Sequence, residues 1–270
     1  IKKRRVHPPL SYQYRMKKII YIICFLFIWG VVASLSNPLF VPSPLSVIDA
    51  FISTIQSGML LRSLLYSFCR ISAATLLAAA ASIPLALQIS NHHVIRDVFQ
   101  PVVNVMRYIP VTAFYPLLIM WFGIGEGMKV AFLFLASFVY MMPSTLLAFD
   151  DVDKRLIDTG ITLGMRKSQI TRLILLPAAA PSIAKTFLMM YGIGWTYIAV
   201  AETINAKYGL GFIISVSSAR GQTQMVFMAI ITIIIASVIF DKLGDKLIHK
   251  CFKWRFVNEQ SCDEQCIDRV

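Results

Sequence analysis

Six apolar runs of bilayer length, separated by short segments that hold most of the charge, leave this chain few folds to adopt. A helix crossing the hydrocarbon core needs about 20 mostly apolar residues, because each residue advances it by about 1.5 Å. The runs are residues 19–36, 64–89, 102–122, 128–149, 182–204 and 225–243. In lipid, every backbone donor and acceptor must find its partner within the spanning structure, so these runs predict an all-α integral membrane protein with six transmembrane helices. An even number of crossings places both termini on one side. The composition agrees, with 57% apolar and 15% charged residues, where soluble domains carry roughly 45–50% and about 25%. That balance excludes a disordered chain, a collagen-like repeat and a disulfide-stapled secreted module.

The 26 Lys and Arg against 14 Asp and Glu give a net charge of +12, which suits nucleic acid, anionic lipid or cytoplasmic loops. Their distribution decides. With six crossings, Arg62, Arg70, Lys129, Lys207 and Arg220 fall on one side and every other basic residue of the 26 falls on the opposite one. This is the positive-inside pattern; it predicts cytoplasmic termini and explains the charge without a nucleic-acid partner. The predicted organisation is a basic cytoplasmic segment over residues 1–18, a membrane domain over 19–245 and a cytoplasmic tail over 246–270. The first run follows a basic stretch, as in a signal peptide. It is longer than a usual apolar signal core, lacks a clear small-residue cleavage site, and is therefore expected to stay as a span. Cys24, Cys69 and Cys251 are scattered, while Cys262 and Cys266 lie in the tail without nearby histidines, so no metal site is expected. His92 and His93 sit in a short polar stretch, 90–100, expected to be a loop, and adjacent residues do not converge on a common ion.

Between the first two runs, Ser43 suits an N-cap and Pro44 the first helical position, and apolar residues at 47, 48, 51, 52 and 55 keep helical spacing. A short amphipathic helix on the outer interface is predicted, orienting the second span. Pro84, Pro110, Pro116, Pro143, Gly192 and Gly194 fall inside the runs. Such breakers survive in lipid only where neighbouring helices or a water-filled path satisfy the freed backbone, which favours a transport pathway over a passive anchor. Small residues at 72–74 and 78–82 let another helix approach the second span closely. Ionisable groups at membrane depth are rare and usually paired or functional. Arg70 and Glu202, both near the outer ends of their runs, are expected to form an ion pair bracing an outer gate. Arg107 and Lys185 fall near the cytoplasmic ends, where long side chains snorkel. Arg70, Arg107, Trp195, Tyr197 and Glu202 are the candidates for a pathway or gate, with Tyr108 and Tyr115 behind them.

The segment 150–181 carries the most information. Its acids come first and its bases later, so a helix is predicted from about Lys154, ended by Gly164, with Ser168 capping a second short helix. Leu156, Ile157, Ile161 and Leu163 form an apolar stripe that either faces a protein partner or packs on this chain's own helices. The spacing Asp158-Thr159-Gly160, then Gly164, then Ile174-x-Leu176-Pro177 resembles the EAA loop (EAA-x3-G-x9-I-x-LP) of the transmembrane permease subunits of ABC importers. Further matches are Pro42-Ser43-Pro44, the stretch 117–126, the stretch 175–181, Ala199-Val200-Ala201-Glu202 and Gly209-Leu210-Gly211-Phe212. Together they look like the nitrate/sulfonate/taurine branch over residues 38–245. The chain departs from the pattern where the family's Glu-Ala-Ala is Asp158-Thr159-Gly160. Glycine disfavours helix by about 1 kcal/mol relative to alanine, so either a less rigid coupling helix or a partner adapted to it is expected.

The resemblance implies a type I ABC importer permease fold in a bacterial inner membrane. It implies ATPase coupling through Asp158, Thr159, Gly160, Leu163, Gly164, Ile174, Leu176 and Pro177. It also implies ATPase subunits that bind ATP and magnesium, a second permease copy, surrounding lipid, and an extracytoplasmic binding protein that delivers a small solute, an anion of the nitrate, sulfonate or taurine type. No catalytic residue and no cofactor are expected in this chain. The nearest P-loop look-alike, 123–129, has the wrong spacing. A self-sufficient secondary transporter or channel is the alternative; its coupling acids would be Glu126 and Glu202. A membrane-embedded enzyme would need clustered His, Asp or Glu at membrane depth, and the runs hold none.

Overall fold

The computed structural model describes residues 10–254, so the basic first residues and the pair Cys262 and Cys266 lie outside the described residues. Among the described residues every regular element is helical: α1 (Leu10–Leu35), α2 (Pro44–Gln56), α3 (Met59–Asn91), α4 (His93–Met106), α5 (Tyr115–Phe122), α6 (Glu126–Asp150), α7 (Lys154–Thr162), α8 (Lys167–Ile170), α9 (Leu176–Ala201), α10 (Leu210–Ala219) and α11 (Thr223–Cys251). A 3-10 turn, Val111–Phe114, precedes α5, and a π turn, Thr171–Leu175, joins α8 to α9. Four helices are long and apolar enough to cross a membrane: α3, α6, the continuous Lys167–Ala201 and α11.

The run 102–122, expected as one span with breakers inside it, falls on two helices bent by 93°. Pro110 explains the break, since it has no N–H to donate and disfavours helical geometry at Ile109 before it. The last turn of α4 tightens accordingly, with Tyr108 N–H donating to Val105 and Ile109 N–H to Met106. The stretch 90–100, expected as a loop, is helical as well. Helix α3 runs to Asn91, His92 alone is extended at φ −126°, and α4 starts at once. Helix α4 is strongly amphipathic, with Val103 buried between it and α6 and Arg96 bridging to Asp150 at 2.7 Å.

At the start of α2, Ser43 Oγ accepts from Ser46 N–H at 3.2 Å and Pro44 occupies the first turn. Helix α2 buries Val47, Ala50 and Thr54 against α3 and α11, and leaves Ile48, Ile52 and Ile55 exposed. The centre of the bundle is α3 packed between α6 and α9. Ile71, Ala74 and Ala78 on α3 and Phe132, Leu133 and Ala136 on α6 are fully buried. Gly194 permits the close approach of α3 and α9, for a Cβ there would stand 2.7 Å from Ile71 Cγ2. A second apolar core, with Ile89, Met142, Phe149, Leu175 and Ile183, fills the end of the bundle where α6 meets α7. The outward faces of α1 and α11 leave Phe25, Phe27, Ile234 and Ile239 exposed, as helices solvated by lipid do.

Replacing Gly194 by valine should lower stability by about 1–3 kcal/mol through overpacking against Ile71. Thermal unfolding of the solubilised protein checks this: Ile71→Ala should restore part of the loss in Gly194→Val, and a melting temperature unchanged by Gly194→Val would remove this contact from the packing account.

Candidate functional site

Two sites stand at opposite ends of α6, about 36 Å apart along its axis. At the α6 N-terminus lies an ion cluster. Arg70, 5% exposed, sends Nη1 to Glu202 Oε1 at 2.6 Å. Its Nε and Nη2 clasp both oxygens of Glu126, at 2.6 and 2.8 Å, in the fork geometry that only arginine offers. Glu126 also accepts from Lys129 Nζ at 2.8 Å, and Lys129, itself 1% exposed, donates to Asn205 O at 3.2 Å. Two cations thus meet two carboxylates.

Glu202 is fully buried at the end of α9, where it organises the turn into α10. Its carboxylate accepts from Ser67 Oγ at 2.8 Å and from Gly211 N–H at 2.8 Å. Ser67 in turn accepts from Leu210 N–H at 3.0 Å. The first free N–H groups of α10 are thereby capped by a negative charge and a hydroxyl, the favourable partners for a helix N-terminus. Gly209 takes φ +143°, and a Cβ there would collide with the Glu202 carboxylate. A Cβ at Gly211 would stand 2.8 Å from the carbonyls of Ile198 and Ala199. The Ala-Glu and Gly-Leu-Gly matches of the sequence are two halves of one contact. Outside the cluster, Tyr66 stacks on Tyr208 at 5.3 Å, with Arg70 over the first ring and Arg62 over the second.

The other end carries an elbow. Asp153 caps α7 by accepting from Arg155 N–H at 2.9 Å. Helix α7 closes with Gly164 at φ +73°: Met165 N–H reaches back to Gly160 O and Gly164 N–H to Ile161 O, the paired bonds of a Schellman end. Gly160 is buried, and a methyl group there would lie 2.7 Å from Ile174 Cδ1 and 3.3 Å from Ile170 Cγ1. At this point of departure from Glu-Ala-Ala, the glycine lets α7 sit closely on the π turn. Ser168 does not cap α8. Arg166 holds the cap position, and its N–H donates to Gln169 Oε1 at 2.8 Å. Lys167 Nζ donates to Asn91 O at 2.6 Å and ties the elbow to the end of α3. Pro177 lacks the N–H for an α-helical bond and crowds the carbonyl four residues back, and the chain meets this by widening to a π turn over Thr171–Leu175. Ile174, Leu176 and Pro177 consequently belong to the same continuous helix as the span.

The apolar stripe divides. Ile157 packs inward on the second core, while Leu156, Ile161 and Leu163 are 48%, 61% and 74% exposed. Asp158 and Thr159 are exposed too, with Thr159 Oγ1 donating to Arg155 O at 2.7 Å. Of the pathway candidates, Arg70 and Glu202 are brought together. Trp195 is 1% exposed and stacks on Phe240 at 5.8 Å, so it is core, and Tyr197 meets Phe132 edge-on at 5.9 Å. Arg107 stands apart, just beyond α4 at the bend. Sequence reasoning did not join Glu126 and Lys129 to the cluster; their i,i+3 spacing at a helix start was the available signal. Ser67, three residues before Arg70 on the same face of α3, was also missed. No group of His, Cys, Asp and Glu among the described residues is arranged to hold a metal ion.

A helical bundle with an elbow leading straight into a spanning helix is the architecture of an ABC transporter permease. The chain superposes with a TM-score of 0.61 on a bacterial alginate ABC transporter solved with an alginate-bound periplasmic protein, at 17% identity over 90% of this chain and 95% of that one. With the inward-facing MetNI methionine ABC transporter the TM-score is 0.63, at 18% identity over 72% and 97%. Residues 74–251 match the family described as the binding-protein-dependent transport system inner membrane component, and the chain belongs to that family, as a multi-pass membrane protein. It is 29% identical to the taurine transport system permease protein TauC of Escherichia coli over 240 residues, 86% of this chain and 87% of TauC. It is 27% identical to the putative aliphatic sulfonates transport permease protein SsuC of Bacillus subtilis, over 89% and 88%.

Removing one partner from a buried ion pair costs about 3–5 kcal/mol, because the other charge stays uncompensated. Arg70→Gln should therefore lower the melting temperature sharply. Arg70→Gln combined with Glu202→Gln should cost less than the sum of the two single changes. Additive losses would show that Arg70 and Glu202 do not act as a pair.

Proposed function

We propose that this chain is the pore subunit of an ATP-driven, binding-protein-dependent importer of a small anion of the sulfonate, taurine or nitrate type. It sits in a bacterial inner membrane with six crossings and both termini in the cytoplasm. Helix α1 and the bent pair α4–α5 add two crossings to the four long helices, and the positive-inside asymmetry supports the orientation. Two copies of the chain pair to form the pore, an extracytoplasmic binding protein delivers the anion, and partner ATPases bind ATP and magnesium. The taurine and sulfonate relatives support the anion class.

The observation that carries the reading is the elbow. Three apolar side chains, Leu156, Ile161 and Leu163, stand exposed on α7, and α7 rests through Gly160 on the first turns of the helix that becomes α9. A partner that grips α7 moves α9 with it, since Lys167–Ala201 is one continuous helix. ATP-driven closure of the ATPases brings the elbows together and rocks the spans as rigid bodies, switching access from one side of the membrane to the other. The alternative of a self-sufficient secondary transporter has less support, for Glu126 and Glu202, the acids it would use, are already held by Arg70 and Lys129.

Two experiments test the elbow. Leu163→Asp with Ile161→Asp should abolish co-purification of the ATPase while leaving the permease folded, because both side chains are exposed in the isolated subunit. Retained co-purification would remove α7 from the interface. Gly164→Val, which forces a β-branched residue into positive φ, should uncouple ATP hydrolysis from uptake in proteoliposomes. Uptake per ATP equal to that of the unmodified protein would show that the elbow end does not transmit the motion.

A further inference from the structure

The sequence offers two roles for Arg107, a snorkelling residue near a cytoplasmic helix end and a pathway candidate. It follows the last residue of α4 at the 93° bend and lines a cavity of about 410 Å³ against α6, shared with Gln100, Asn104, Tyr140, Ser144 and Asp150. The α6 side of this cavity runs from Tyr140 to Asp150, about 15 Å of helix, so the cavity occupies the half of α6 nearer the elbow.

The charge balance of the cavity is one-sided. Its acid, Asp150, is bound by Arg96 at 2.7 Å, and Arg96 also donates to Gln100 Oε1 at 2.8 Å. With its carbonyl oxygen engaged, Gln100 presents N–H groups. Ser144 gives its hydroxyl proton to Tyr140 O at 2.9 Å. Asn104 adds a second amide, and no ion pair or hydrogen bond of the Arg107 side chain is present among the described residues. The exposed Arg107 guanidinium therefore borders a cavity that offers amide donors and whose acid is already paired, a donor set suited to an anion. Arg70 and Lys129, at the other end of α6, by contrast have carboxylate partners.

We infer that this cavity is where the pore holds its permeating anion, with Arg107 reading the charge and Gln100 and Asn104 orienting it. The class of ligand is a small oxyanion, a sulfonate or a planar or tetrahedral inorganic anion, because the guanidinium fork offers two parallel N–H bonds to two oxygens of one group. The volume admits an anion with a short organic tail and no polymer. The cavity ends at Asp150, four residues before α7 begins, so movement of the elbow reshapes the site that holds the anion. This inference rests on the importer reading and adds a residue that selects the substrate class.

The test uses the permease–ATPase complex without nucleotide and without the binding protein. Taurine, ethanesulfonate, nitrate and sulfate are titrated at constant ionic strength, with choline and glycerol as controls, and binding is read by thermal shift. At least one anion and neither control should stabilise the unmodified complex. Arg107→Gln should raise the half-saturating concentration about tenfold or more, the loss expected for a charge-assisted hydrogen bond, and Arg107→Lys should raise it less. Asn104→Leu, which keeps the charge and fills the cavity, should also weaken binding. Equal half-saturation in the unmodified and Arg107→Gln complexes, or no stabilisation by any of the four anions, overturns the site. So does an Arg107→Gln chain that no longer assembles with its second copy, which assigns the arginine to an interface. A separate uptake assay on the unmodified complex distinguishes the two readings. ATP-dependent uptake with unchanged Arg107→Gln binding removes the site and keeps the importer; anion binding without ATP-dependent uptake removes the importer.

Discussion

The Arg70 guanidinium decides how the outer half of the bundle is assembled. It is buried, and a buried cation is tolerable only when its partners are in place, so α3, α6 and α9 must meet in the one register that brings Glu126 and Glu202 to it. Ser67 extends the constraint to α10 through Leu210, and Glu202 extends it through Gly211. The turn between α9 and α10 follows from these bonds, because only glycine at 209 leaves room for the carboxylate. The cluster contributes specificity of arrangement more than net stability, since desolvating Arg70, Lys129 and Glu202 offsets most of the attraction.

The two ends of α6 are built to different rules. Around Glu126 every strong polar group is engaged and the neighbouring helix ends are capped by side chains from other elements. Around Asp150 the elbow is held by one close contact at Gly160, a hydrogen bond from Lys167 to Asn91 and the inward packing of Ile157, while its apolar outer face has no cover in the single chain. A bundle locked at one end and gripped at the other moves by rocking about the locked end. On the proposed function this is what an importer needs, with force applied at α7 and expressed as a tilt of α9.

The long helices were legible in the sequence because lipid allows a 20-residue apolar run few other structures, and Ser43-Pro44 and Gly164 were legible because caps are local chemistry. The failures are also physical. Residues 102–122 read as one span interrupted by Pro110, because hydropathy counts apolar residues and does not give the angle at a break. Residues 90–100 read as a loop because their charges seemed free, whereas Arg96 is bridged to Asp150, 54 positions along the chain. Gly160 read as a loss of helix propensity, and only the position of Ile174 shows that the missing methyl is a fit. The Arg70–Glu202 pairing was accessible from depth alone, but Glu126 and Lys129 needed the packing of α6 against α3 to be seen as members.

The interior of the chain bears on where a solute passes. Ile71, Ala74, Phe132, Leu133, Ala136 and Ile198 are fully buried along the axis of the bundle, and Trp195 closes the space beside them. Protein packed to this density leaves no continuous route, and opening one through α3, α6 and α9 would break the contact between Gly194 and Ile71. The cavity lined by Arg107 lies off this axis, on the face made by α4 and α6. A solute path along that face is complete only when something closes its far side. On the proposed function a second copy of the chain supplies that wall, which is why a single subunit can be so tightly packed and still belong to a pore.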